Sequence, residues 1–359
     1  LRQTAYNVPN SAWSARQWRG ILILPEPGLF AMDTVTIDVT LLEDMAFAAL
    51  VAHGTSEGNA RPAARAMALA EAEGNRVCGV FYLPHFCAQL AAGKIDGRAA
   101  PRVTAEGAVV RVDAATGFAH PAFEAGLPAL LQAVAAQGVA VMSIGNSYNA
   151  LALGHFVRPL AERGLIAVAM SNAPASVAPP GGTARLFGTN PLAWAAPLPE
   201  GPPIVVDQSL SAVTKTEVLF RHASGRALEP GWAQDADGRP TTDAAAALAG
   251  SLLPAGGQKG ANIALLVEVL AAVLSGANLS SGASPLGTPT GGPPRLGQFV
   301  LALDPARFDG GYGSALSSLA QLFSSAGLRH PGAGRTIATQ VDLSAELWRE
   351  CLDLCQKQP

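Results

Sequence analysis

Three stretches of this 359-residue chain place polar side chains on backbone that is free to meet a ligand, and a fourth carries an exposed charge. The first is a loop from Ser171-Asn172-Ala173-Pro174 to Pro179-Pro180-Gly181-Gly182, whose prolines and glycines hold an extended path beneath free Ser and Asn groups. LFGTNPLAWAAP follows from Leu186 to Pro197, and IVVDQSLS from Ile204 to Ser211. Asp207, ending IVVD, suits hydrogen bonds from a ribose and equally the capping of the next turn. GGQKG, Gly256 to Gly260, is a glycine-rich turn entering a helix, where free N–H groups and the helix dipole favour an anion such as a pyrophosphate. The bland alternative is an ordinary glycine-flanked helix start with a surface lysine.

Other chemistry is thinner. No GxGxxG follows a strand, and GxxxxGK[ST], GxSxG and HExxH are absent, so these glycines argue neither a dinucleotide Rossmann fold nor a P-loop. Lys94, Lys215, Lys259 and Lys357 are the only lysines in an arginine-dominated chain. His155, on an alanine- and leucine-rich helix, suits packing better than catalysis, and His53, His120, His222 and His330 have no partner that the sequence names. Cys78, Cys87, Cys351 and Cys355 form no CxxC and have no histidine at zinc-finger spacing, which fits reduced thiols in a cytoplasm. Cys351 and Cys355 share a helix face, as packing would place them.

The composition limits the partners. Charged residues make up 14% and the net charge is -3, so there is no electrostatic footprint for nucleic acid or an anionic membrane. No apolar run is long enough to span a bilayer. An apolar content of 49% over this length provides for a large core and two domains, one possibly built from both chain ends.

The elements that must carry these residues are legible from spacing. LLEDMAFAALVAHG gives a helix closed by Gly54, and Thr55 or Ser56 caps a second helix running to about Ala72. NRVCGVFY leads to a short helix opened by Pro84. AVVRVD from Ala108, GVAVMSI from Gly138 and LIAVAMS from Leu165 read as strands. They alternate with helices over Pro121–Gln137 and from Ala150, which predicts an α/β layer with crossover connections. A long apolar helix runs from Ala261 to Leu274. The Gly/Ser/Pro loop from Gly276 to Pro294 exceeds a connector's length and fits a lid or a disordered segment. QFVLALD, SALSSLAQLFSSAG and SAELWRECLDLC then give a strand and two helices. Residues 1–31 read as an extension without a share in function and with no signal-peptide pattern.

LFGTNPLAWAAP, EGPPIVVDQSLS, EPGWAQDADGRPTTDAAAALAGSLLPAGGQKG and LAAGKIDGRAAPRV together resemble the malate/L-lactate dehydrogenase family that does not use a Rossmann fold. The likeness runs from about Met32 to the C-terminus. That family includes dehydrogenases of malate, lactate, ureidoglycolate and sulfolactate, and reductases of diketogulonate and of cyclic imino acids such as Δ1-piperideine-2-carboxylate. The resemblance implies hydride transfer between NAD or NADP and a small 2-oxo, 2-hydroxy or imino acid, in a homodimer. The implied fold is mixed α/β: a helical domain from residues 32–105 and 313–359, and a non-Rossmann cofactor domain with the substrate loop from 106–312. By motif position, cofactor contacts fall on Asn149, Leu151 and Leu153, on Asp207, Gln208 and Ser209, on Lys215, and on Gly257, Gln258 and Lys259. Thr189 of FGTNP falls where the family touches substrate.

Two departures change the chemistry. Where the family carries an SHG turn and, three residues later, an arginine, this chain has Val77-Cys78-Gly79 and then Tyr82. The family's NSxHF is here NSYNA, with Asn149 in the histidine position. Reducing a carbonyl requires a proton for the developing alkoxide, and a group titrating near neutrality gives it best. Cys78, Tyr148 and Asn149 remain as hydrogen-bonding candidates at the reacting atoms. Arg76, then Arg185, are candidates for the carboxylate anchor, beside Tyr82 and Thr189. A protonated cyclic imine already carries its proton and asks less of the protein. The alternative to an active enzyme is a cofactor-binding paralogue without turnover.

Overall fold

The computed structural model describes residues 34–308, 310–334 and 336–356; the expected extension before Met32 and Lys357 lie outside them. Strand β1 (Thr34–Asp38) pairs antiparallel with β12 (Gln340–Ser344), so the two ends of the described chain meet in one ribbon. Helices α1 (Val39–Ala52) and α2 (Glu57–Ala72) follow as the predicted α-hairpin. Asp38 caps α1 by accepting from the Thr40 amide at 2.9 Å. Ser56 occupies the N-cap of α2, but its side chain makes no capping bond. Two short 3₁₀ turns, Arg76–Cys78 and Val80–Tyr82, lead into α3 (Leu83–Ala91), with Pro84 in its first turn as predicted.

The main sheet has seven strands: β2 (Arg102–Glu106), β3 (Val109–Asp113), β4 (Val139–Ser147), β5 (Ile166–Ser171), β6 (Leu192–Ala196), β7 (Ile204–Gln208) and β11 (Leu296–Leu303). Their spatial order is β2-β3-β4-β11-β5-β6-β7. Helix α4 (Ala119–Gln137) crosses between β3 and β4, the one parallel neighbouring pair. Helix α5 (Gly154–Ala161) connects β4 to β5, but β11 slots antiparallel between them. Alternating strands and helices therefore predicted the layers correctly, whereas a distant strand decides the pairing.

A second, three-stranded sheet, β10-β8-β9, uses β8 (Ala233–Gln234), β9 (Pro240–Thr241) and β10 (Ser251–Leu252). Around it lie α6 (Lys215–Ala223), α7 (Ala244–Ala249) and α8 (Gln258–Val267), which continues as a π-helical turn over Glu268–Val273. Helix α9 (Tyr312–Ser325) buries none of its residues, and α10 (Ala345–Leu354) buries Trp348, Cys351 and Leu352.

Three hydrophobic clusters order this architecture. One joins α1–α3 to α10 around Met45, Met67, Phe86 and Trp348. A second fills the space between the sheet and α4 and α5, with Phe123, Met142 and Phe156. The third packs α6–α8 on the opposite face through Val177, Leu210, Val218 and Phe299. Complete burial of a large apolar side chain is worth roughly 1.5–3 kcal/mol, so these clusters fix the elements. The site lies where the clusters adjoin. The fold is thus mixed α/β, with an open sheet and helices contributed by both ends of the described chain.

Candidate active site

A cavity of about 490 Å³ opens between the α2–α3 connection, the end of β7 and the loop that precedes β11. Among the sequence candidates, it is lined by Cys78, Tyr82, Asn149, Leu151, Thr189 and Arg185. Asp207, Gln208, Ser209 and Lys215 line it too. Its size is in the range of sites that enclose small molecules, roughly 300–1,000 Å³.

The Cys78 turn is shaped from behind by Glu71 of α2. Glu71 is 5% exposed, and its Oε1 accepts from the Val80 amide at 3.0 Å. A Cβ on Gly79 would stand 2.0 Å from that oxygen, so any side chain here would displace the Glu71 carboxylate that holds the turn. Burial raises the Glu71 pKa, opposed by the Val80 amide and by the Arg76 charge. Arg76 therefore works on Glu71 and is absent from the cavity lining, and Arg185 is the arginine that lines it. Arg185 donates Nε to the Gly250 carbonyl at 2.6 Å, and Nη2 to Leu248 at 3.0 Å and Ala249 at 2.7 Å. These anchors at the end of α7 leave Nη1 for a ligand.

Cys78, Tyr82 and His85 recur at a spacing of four and three residues and all face the cavity, with Phe81 between them. Burial, reinforced by the Asp207 charge, pushes the Cys78 thiol up to about 12, with Asn75 opposing. Burial likewise raises the Tyr82 pKa, against a 3.0 Å hydrogen bond with the Thr216 hydroxyl. Both groups stay protonated at neutral pH and give up a proton with difficulty. His85 had no place among the sequence candidates. Its ring lies 5.3 Å from Phe81 and 6.0 Å from Tyr82, and its Nδ1 is buried without a hydrogen-bond partner.

Tyr148 is not in the cavity. It is 1% exposed and packs edge-on to Phe86, with ring centroids 5.1 Å apart, and burial raises its pKa strongly. Leu153 is fully buried in the cluster under the sheet. Between them, Leu151 adopts φ 52°, and its amide donates to Asn149 Oδ1 at 3.1 Å. This left-handed step delays α5 to Gly154, four residues past the predicted start, and leaves Asn149 to Ala152 as irregular backbone along the cavity.

Asp207 receives the first amide of α5, Gly154, on Oδ2 at 2.8 Å. It also lines a second, more open cavity of about 570 Å³ with Glu73, Arg329, Gly332 and Thr336. Its carboxylate thus stands between two concave regions. Burial, together with the Arg185 charge, lowers the Lys215 pKa. Gly257, Gln258 and Lys259 are exposed at the start of α8 and outside both linings. Their turn nevertheless adjoins the Asp207 segment, since Ala255 donates to Leu210 at 2.9 Å and Ala212 to Leu253 at 2.8 Å.

The FGTNP floor is held by polar contacts. A Cβ on Gly188 would meet the Ala173 carbonyl at 2.2 Å, so glycine lets this segment lie close against the SNAP loop. Asn190, fully buried, donates to Glu268 Oε2 at 2.9 Å and to the Ala264 carbonyl at 3.1 Å. Ser280 reaches the same carboxylate with its amide at 2.5 Å and its hydroxyl at 2.7 Å. The loop from Gly276 to Pro294 is an ordered wall. Lys94, 1% exposed, donates to the carbonyls of Pro285 at 2.7 Å, Thr288 at 3.0 Å and Thr290 at 2.8 Å, and Gln89 donates to Leu286. Pro285, Leu286 and Gly287 of that loop line the cavity.

Behind the cavity, His155 lies 3.7 Å from Glu73, which also pairs with Arg158. This is the structural role its helix suggested. Among the described residues, no group of histidine, cysteine or acidic side chains could hold a metal ion.

Residues 37–337 match malate/L-lactate dehydrogenase. The chain belongs to the malate/L-lactate dehydrogenase family. It is 42% identical to (2R)-3-sulfolactate dehydrogenase (NADP(+)) of Chromohalobacter salexigens over 294 residues, 82% of this chain and 88% of that protein. It is 41% identical to the Δ1-pyrroline-2-carboxylate/Δ1-piperideine-2-carboxylate reductase of Pseudomonas putida over 278 residues, 77% of this chain and 82% of that one. The crystal structure of Δ1-piperideine-2-carboxylate reductase from Pseudomonas syringae pvar. tomato superposes with a TM-score of 0.84 at 35% identity, covering 89% of this chain and 99% of that one. As a family member, the chain is an NAD(P)-dependent dehydrogenase or reductase with the open, non-Rossmann sheet described above.

Proposed function

We propose that this NAD(P)-dependent oxidoreductase of small 2-oxo, 2-hydroxy or cyclic imino acids works chiefly as a reductase of cyclic imino acids. The observation that carries this reading is the protonated, buried Cys78 thiol at the turn beside Asp207. A five- or six-membered imine protonated on nitrogen brings its own proton and needs only a hydride at the adjacent carbon. A bound nicotinamide supplies that hydride. Most of the work left to the protein is positioning.

The residues present fit a dinucleotide. Asp207 lies between the two cavities, where a ribose would meet its carboxylate. Gln208, Ser209 and Lys215 offer neutral donors and one cation along the same wall, and Asn149 and Leu151 offer backbone opposite. The free Nη1 of Arg185 and the Thr189 hydroxyl take the substrate carboxylate, and the Tyr82 hydroxyl, fixed by Thr216, closes that end. Aromatic groups at Phe81 and Tyr82 exclude water.

The reading includes a homodimer in a reducing cytoplasm. Ile263, Leu265, Leu266, Val269 and Val273 expose 41–60% of their surface along α8 and its π-helical continuation, an apolar face suited to a second copy. None of the four cysteines, all among the described residues, is in a disulfide.

The test is NADH and NADPH oxidation with Δ1-pyrroline-2-carboxylate, Δ1-piperideine-2-carboxylate and a set of open-chain 2-oxo acids, run beside thermal shifts with each dinucleotide. Imine turnover exceeding oxo-acid turnover is expected. Stabilisation by a dinucleotide with no turnover at all would instead identify a binding protein without catalysis.

A further inference from the structure

Reduction of an open-chain 2-oxo acid places a demand on this cavity that an iminium does not. The carbonyl carbon gains a hydride, the C=O π bond breaks, and its oxygen must take a proton. The titratable or charged groups that share the cavity are Cys78, Tyr82 and His85 from one segment, Arg185 from the loop before β6, Asp207 from β7 and Lys215 from α6. Arg185 keeps its proton and already spends three donor contacts on α7. Asp207 accepts a backbone amide, as a carboxylate does. The Tyr82 hydroxyl is engaged with Thr216, and Lys215, the residue before Thr216 at the start of α6, stands beside the same wall as a rival donor.

His85 differs from all of these. It is an imidazole, a side chain able both to give and to take a proton, and it faces the cavity one helical turn beyond Tyr82. Phe81 and Tyr82 hold the ring, and the buried Nδ1 has no partner, so Nε2 is the nitrogen with access to a ligand. The packing uses its ring faces and leaves its nitrogens without a hydrogen-bonding task in the fold. We infer that His85 is the proton donor that lets this cavity reduce open-chain 2-oxo acids as well as cyclic imines.

In this step the substrate oxygen takes the Nε2 proton as the carbon takes the hydride. The products are a 2-hydroxy acid, an oxidised nicotinamide and a neutral imidazole that is reprotonated from solvent. The inference rests on the proposed placement of substrate acid and nicotinamide in one cavity.

His85→Phe and His85→Gln are compared with wild type on an oxo acid and on a cyclic imine, with Lys215→Met as the rival donor. Both His85 variants are expected to lower kcat on the oxo acid about 100-fold or more, to keep imine turnover at pH 6 within about threefold, and to remove the high-pH fall in oxo-acid kcat that a protonated donor imposes. An unchanged oxo-acid kcat in both variants, or a pH limb that moves only with Lys215→Met, would overturn the assignment. A second readout needs no turnover. In 15N-histidine spectra of protein saturated with oxidised dinucleotide, oxamate should change the protonation of one imidazole that is missing from His85→Gln. If wild type reduces nothing, the functional reading falls, and this spectrum still decides His85: no perturbed imidazole, or one that persists in the variant, refutes it.

Discussion

The two walls of the cavity are held in place by different physics. The floor, FGTNP with the SNAP loop and Ser280, is tied by buried hydrogen bonds that converge on Asn190 and Glu268, each with several defined partners. The Cys78–His85 wall is shaped by packing: aromatic contacts among Phe81, Tyr82, His85 and Phe86, with Glu71 shaping the turn from behind. A buried polar network tolerates few changes, since each lost partner strands another group. A wall built by packing can exchange one polar side chain for another while keeping its shape. Two of the residues that depart from the family motifs, Cys78 and Tyr82, lie on the packed wall, a third, Asn149, lies on the irregular backbone before α5, and FGTNP is intact.

Several experiments would break or sharpen that contrast. The largest expected effect concerns Cys78. With its pKa raised to about 12, the thiolate is scarce at pH 8, so alkylation by iodoacetamide should run roughly a thousandfold slower than for a free thiol. The rate should rise about tenfold per pH unit above pH 8, with no levelling through pH 10. Fast labelling of Cys78 at pH 8 would show the packed wall to be open. Glu268→Ala comes next. It strands the Ser280 amide and one hydrogen of the Asn190 amide, while Asn190 keeps the Ala264 carbonyl and the Ser280 hydroxyl keeps Asn190 Oδ1 at 3.3 Å, and should cost about 2–3 kcal/mol in urea unfolding. A loss below about 1 kcal/mol would mean that the floor does not depend on this network.

Lys94→Met removes three carbonyl contacts from the loop over Pro285–Thr290. An increase of about tenfold in KM with a smaller change in kcat is expected, with faster limited proteolysis in that loop. Lys94→Arg should recover part of the loss. Thr189→Val should have the smallest effect, an increase of about fivefold in substrate KM at constant kcat, because one neutral hydrogen bond is at stake.

Much of this was legible in the sequence, for identifiable reasons. The α1–α2 hairpin, Pro84 at a helix start and the strands β3, β4 and β5 follow from local spacing, and the structure contains them. The pairing of β1 with β12 joins residues about three hundred positions apart, and no local pattern announces it. Burial direction was equally hidden. Tyr148 and Leu153 flank a cavity segment, yet both turn into the core because Leu151 takes a left-handed conformation, rare outside glycine and unannounced by its residue type. Arg76 and Cys78 are two residues apart in the same turn, and only one of them faces the cavity. His85 carried a readable signal, seven residues beyond Cys78 and three beyond Tyr82 at helical spacing. Lys94 was conspicuous only as a rare lysine, and its role became visible once three distant carbonyls surrounded it.

The central claim is that one cavity holds nicotinamide and substrate acid between these two walls. A crystal structure with oxidised dinucleotide and pyrrole-2-carboxylate, a planar analogue of the cyclic imine, tests it most directly. The account places the nicotinamide ring along Asn149–Leu151 and the analogue's carboxylate on Arg185 and Thr189. A dinucleotide seated elsewhere, or an analogue whose carboxylate meets neither Arg185 nor Thr189, would contradict it.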